Sequence, residues 1–160
     1  MSISYSAVVL DDASKANVLG LLGDLIPEGW TPYAHHMTIT MGPLKHTKLS
    51  KRRKGHNYLD TEDLPECEPQ MWGPAGTPWS MEVTEVGLDD RAMAVKVGGI
   101  PRTRNCRQGG FAHVTIAVNT AEGGKPFHSN KIPQENFQTL AELNLPPITL
   151  KGTVLEVPNQ

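Results

Sequence analysis

Two stretches of this chain, AHHMTIT at 34–40 and FAHVTIA at 111–117, repeat one alternation of apolar and polar side chains. In the first, Met37, Ile39 and Met41 share one parity, and His36, Thr38 and Thr40 share the other. In the second, Val114 and Ile116 alternate with His113 and Thr115. A period of two belongs to a β-strand, whose successive side chains point to opposite faces. Each stretch is therefore expected as a strand with one face in a core. The other face holds an imidazole and a hydroxyl side by side.

Other segments read around these two. Ser2 to Leu10, Ser80 to Val86, Ala92 to Val97 and Ile148 to Val157 are short, apolar or β-branched runs expected as strands. Asp11 and Asp12 supply N-cap chemistry for a helix over about 13–25, carried by Val18, Leu19, Leu21, Leu22 and Leu25 and ended by Pro27 and Gly29. Gln134 to Leu143 is expected as a second, short helix. Residues 44–79 are polar, charged and punctuated by Pro65, Pro69, Pro74 and Pro78, so they read as one long loop or insertion. Within it, Lys45 to Lys54 is a basic run, readable as a lid or as a solvated loop. Strands predominate, one or two helices pack on them, and the expected class is α+β in one domain spanning residues 1–160.

Charge narrows the partners. With its histidines neutral, the chain has a formal net charge of -2, whereas proteins that coat long duplex nucleic acid are basic. A nucleic-acid ligand should thus be small, or an end. Cys67 and Cys106 have no CxxC spacing, no run resembles a signal peptide, and no apolar stretch reaches the length of a membrane span. The expectation is a cytoplasmic, monomeric protein with no membrane partner.

Two imidazoles and two hydroxyls that converge suit phosphodiester chemistry. Cleaving a phosphodiester beside a ribose hydroxyl needs a base to activate the attacking oxygen and an acid to protonate the leaving one. Histidine's ordinary pKa of about 6.5 lets one ring do each at neutral pH. Threonine hydroxyls can donate to the non-bridging oxygens as charge builds there. No metal and no cofactor is called for. A metal site from His35, His36, His113 and His128 is disfavoured, because neighbours on a strand point apart and His35 should face away from His36. Arg102, Arg104 and Arg107, in the glycine-containing loop before the second motif, are candidate phosphate contacts. Lys125 and His128 in GGKPFHSNK are candidates for the cleft rim, and Tyr33 and Trp72 for stacking on a base.

The doubled H-hydrophobic-T-hydrophobic pattern, HMTI and HVTI, resembles the 2H phosphoesterase superfamily. That group includes 2′,5′ RNA ligase-like proteins, cyclic nucleotide phosphodiesterases, the phosphodiesterase domain of fungal tRNA ligases, and phage proteins that degrade cyclic oligonucleotide signals. The resemblance spans most of the chain. It implies two lobes of antiparallel sheet related by pseudo-twofold symmetry, a few flanking helices and a central cleft. It makes His36 and His113 the catalytic acid-base pair and Thr38 and Thr115 the phosphate contacts. The activity implied is metal-independent hydrolysis of a 2′,3′-cyclic phosphate, or another 2′-linked or cyclic phosphodiester, on an RNA 3′ end or a small nucleotide. Hydrolysis of a cyclic oligonucleotide signal is the close alternative; a non-catalytic module that binds an RNA end or a nucleotide is another. The chain departs from the family at 98–110, where a loop replaces the helix that members carry before the second motif.

Overall fold

The computed structural model describes residues 3–41, 72–100 and 111–158. The predicted strands form, with small shifts at their ends: β1 (Ile3–Leu10), β3 (His36–Met41), β4 (Pro78–Leu88), β5 (Ala92–Gly98), β6 (His113–Val118) and β8 (Thr149–Pro158). Two short strands, β2 (Thr31–Pro32) and β7 (Gln138–Thr139), join them. All belong to one antiparallel sheet in the order β2-β6-β5-β4-β8-β1-β3, with β7 beside β4. The motif strands β3 and β6 each stand two places out from the central β4–β8 pair.

One short segment draws those two strands together. Thr31 and Pro32 pair with Val118 and Ala117 of β6. The Tyr33 and Ala34 N–H groups then donate to the Ile116 and Thr115 carbonyls at 2.7 and 2.9 Å. Ala34 turns the chain with a left-handed φ of 51°, after which β3 runs along β1. The segment is thus bonded to β6 where it begins and to β1 where it ends. As a result β3 and β6 lie against one another although they are far apart in strand order.

The helix α1 (Asp12–Leu21) is capped as its sequence predicts, with the Asp11 carboxylate accepting from the Ser14 N–H at 2.7 Å. It stops short of the expected Leu25: Gly20 and Gly23 weaken its end, and a 3-10 turn at Gly23–Leu25 replaces the last turn. The second predicted helix does not form. Thr139 and Glu142 bond each other's backbone reciprocally, a helix-starting arrangement. Buried Phe137 nonetheless anchors the preceding residues, Gln138 and Thr139 pair with β4, and Asn144 at φ 58° ends the turn. Tertiary anchoring wins over local helix preference here.

The larger core lies on one face of the sheet. Val8, Met37, Ile39, Met81, Met93, Val95, Val114, Ile116, Leu150 and Val154 bury there, with Val18 and Leu22 of the helix region packed against them. A smaller cluster of Ala92, Ala94, Val118, Ile132 and Phe137 covers part of the other face. Trp72, a candidate base-stacking platform in the sequence, belongs to the larger core. It is fully buried, its ring lies 5.0 Å from that of Trp79, and its carbonyl accepts from the Trp79 indole at 2.9 Å. A ring so enclosed has no face for a base. Among the described residues, no helix is long and apolar enough to cross a membrane.

Candidate active site

Each motif histidine opens its strand. His36 pairs with Val9 across β1 and Thr38 pairs with Ala7; His113 pairs with Lys96 across β5 and Thr115 with Ala94. The predicted alternation holds on both strands. Met37, Ile39, Val114 and Ile116 are buried in the larger core, while His36, Thr38, His113 and Thr115 are half-buried on the other parity.

The His36 ring is held on two sides. Tyr5 of β1 stacks on it with centroids 5.0 Å apart and planes 29° from parallel. His35 meets it edge-on at 5.1 Å, with the two Nδ1 atoms 2.9 Å apart. His35 was expected to face away, as a neighbour on a strand must. The strand begins only at His36, and the Ala34 turn frees His35 from the alternation. His35 is exposed and lies against His36.

His113 is fixed differently. Its Nδ1 lies 3.2 Å from the Phe111 carbonyl, which can only accept, so Nδ1 carries the proton and Nε2 is left open. The Phe111 ring meets the imidazole edge-on at 5.6 Å and leans on Phe137 at 5.0 Å. Lys96 Nζ sits over both phenyl rings, 4.8 and 4.5 Å from their centres, and 3.1 Å from the Glu85 carboxylate. That carboxylate offsets the charge Lys96 brings next to His113.

Both imidazoles resist protonation. Burial, and after it the positive charges that His35 and His113 can carry, together lower the His36 pKa to about 4. Burial lowers His113 too, opposed by its hydrogen bond to the Phe111 carbonyl. A folding consequence follows. The folded-state pKa of His36 is below its unfolded value, so its contribution to stability is whole above about pH 6.5 and is lost as pH falls toward 4. Urea unfolding at pH 7 and pH 4.5 should show a smaller acid destabilisation in His36→Gln than in wild type, by on the order of 2–3 kcal/mol. Equal acid sensitivity of the two proteins would contradict the assigned environment.

The two threonines are not equivalent. Thr115 Oγ1 donates to the Pro126 carbonyl at 3.2 Å and lies 2.7 Å from the hydroxyl of buried Ser129, which donates to it in turn. Its proton is therefore already placed. Thr38 has no hydrogen bond from its hydroxyl to any described residue, and that group is ready to donate.

The remaining candidates scatter. Lys125 is exposed at the start of the 3-10 helix Pro126–Lys131, one residue before the carbonyl that holds Thr115. His128, read from sequence as a rim residue, is instead buried, with Nδ1 accepting from the Lys125 N–H at 2.9 Å and Nε2 3.1 Å from Arg91 Nη1. Tyr33 is half-buried against the smaller cluster. Arg102, Arg104, Arg107 and the Lys45–Lys54 run lie outside the described residues. Among the described residues, no three His, Cys, Asp or Glu side chains group so that they could hold a metal ion. Sequence reasoning did not give Ser129 a role; a serine in a loop carries no signal of a buried partner on a strand.

No family profile matches the chain, and no curated protein matches it significantly. Among solved structures, it is similar to TT0787 of Thermus thermophilus, at 16% identity and a TM-score of 0.41, over 98% of this chain and 84% of that one. So slight a likeness has no bearing on function.

Proposed function

We propose that this protein is a phosphoesterase that opens a 2′,3′-cyclic phosphate, or a related cyclic or 2′-linked phosphodiester, on an RNA end or a small nucleotide. The observation that carries the reading is the pairing of two half-buried imidazoles, each opening a motif strand, on strands β3 and β6 that lie against one another. The strand order supports the wider reading as a two-lobed, pseudo-symmetric 2H-type fold. Counted outward from the central pair, β4-β5-β6 and β8-β1-β3 each end on a motif strand in third place.

The two rings suit different roles. A base must present a lone pair at working pH, and His36, with its pKa near 4, is neutral there. An acid must hold a proton in the complex. The Phe111 carbonyl supports the His113 cation through Nδ1, and a bound phosphate anion raises the pKa of any imidazole beside it. His36 then takes a proton from water as its oxygen attacks phosphorus. His113 Nε2 gives a proton to the ribose oxygen as its bond to phosphorus breaks. The Thr38 hydroxyl donates to a non-bridging oxygen, where negative charge grows.

The test is a panel of 2′,3′-cyclic, 3′,5′-cyclic, 2′,5′-linked and cyclic oligonucleotide substrates, each with EDTA present. At least the 2′,3′-cyclic member should be turned over, undiminished by chelation. Activity that EDTA abolishes would point to a metalloenzyme. Tight binding without turnover across the panel would instead support a nucleotide-binding module.

A further inference from the structure

We infer that His35 is a positioning residue for His36, accepting its Nδ1 proton so that Nε2 keeps the lone pair a base requires. The inference rests on the acid-base reading of His36, but its primary readout does not.

The geometry starts from the turn at Ala34, whose left-handed backbone takes His35 out of the strand alternation and brings its ring edge-on to His36. At 2.9 Å, the two Nδ1 atoms are at hydrogen-bond distance, and one proton lies between them. Its direction decides the chemistry. If His35 donates, neutral His36 must carry its other proton on Nε2 and has no lone pair to offer. If His36 donates, Nε2 is free, and exposed His35 turns its own Nε2–H to water. Uptake of a proton at Nε2 then makes the bond to His35 charge-assisted and shorter, as in catalytic groups where a third residue orients the base. Only the second direction is compatible with a base at His36.

Tyr5 complements this arrangement. Its ring stacks on His36 from β1 and leaves the ring edge that carries Nδ1 to His35. Among the described residues, the charged or titratable groups facing His36 are His35 on its own segment, Tyr5 on β1 and His113 on β6. Of these, His35 is the partner at hydrogen-bond distance from His36 Nδ1.

Long-range ¹H–¹⁵N spectra of the imidazole rings, at neutral pH and without substrate, test the inference directly. Wild type should show His36 protonated at Nδ1. His35→Phe keeps an aromatic ring but loses the acceptor, and the His36 proton should move largely to Nε2. His35→Asn restores an acceptor oxygen and should bring the proton back to Nδ1. On a substrate that wild type turns over, kcat should fall about 10- to 100-fold in His35→Phe, with little change in KM, and recover in His35→Asn. An unchanged His36 tautomer in His35→Phe would overturn the inference, as would His35→Asn behaving like His35→Phe. Failure of the enzymatic reading looks different: the wild-type rings would show the expected tautomers, yet no member of the panel would be hydrolysed.

Discussion

Replacing His36 or His113 by alanine should each lower kcat by about 10² to 10⁴-fold on the best substrate of the panel, with KM changed far less. The reason is positional. Each ring opens its strand on the parity opposite the buried core residues, so its removal leaves Met37 and Ile39, or Val114 and Ile116, in place. Circular dichroism and melting curves should accordingly show both variants folded. The double variant should be scarcely worse than the poorer single one, because an acid without its base completes no turnover. Near-normal rates in both single variants would dispose of the mechanism, and strictly multiplicative losses would mean that the rings act independently.

Gly152→Ala should be strongly destabilising although it lies away from the motif strands. Gly152 sits in β8 between two neighbours, paired with Leu10 of β1 on one side and with Trp79 of β4 on the other. A Cβ there would stand 2.4 Å from the Val9 carbonyl oxygen and 2.9 Å from Val8 Cγ1. Backbone cannot yield as the end of a flexible side chain can, so β1 must move away from β8. Overpacking of this kind costs about 3 kcal/mol, which for a domain of this size lowers Tm by about 6–12 °C. The displaced strand is the one that carries Val9 opposite His36 and the stacked Tyr5, so activity should fall even below the melting transition. A Tm within about 2 °C of wild type would contradict the close packing of β1 on β8.

What could be read in the sequence was periodic. The alternation at 36–41 and 113–118 gave both strands, their core faces and the parity of His36, Thr38, His113 and Thr115, because a strand's geometry is its pattern. The Asp11 cap was legible for the same kind of reason, being a local bond across three residues. What could not be read depended on residues distant in the chain. The anchoring of Phe137 overrode a plausible helix, and the core beside Trp79 claimed Trp72. Ser129 and Pro126 took the hydroxyl of Thr115. His35 escaped for a subtler reason. Strand alternation does not reach His35, because the preceding Ala34 is left-handed, a conformation that propensity gives no reason to expect of alanine.

In the proposed mechanism, two imidazoles fixed on separate strands carry out one directed proton exchange at phosphorus. Its most direct test is ³¹P NMR of wild-type protein with a 2′,3′-cyclic mononucleotide and EDTA, following which ribose oxygen keeps the phosphate. Fixed acid and base positions admit in-line attack on one bond only, so a single phosphomonoester isomer should form. An equal mixture of the 2′ and 3′ isomers, or a cyclic phosphate left intact by the folded protein, would contradict it.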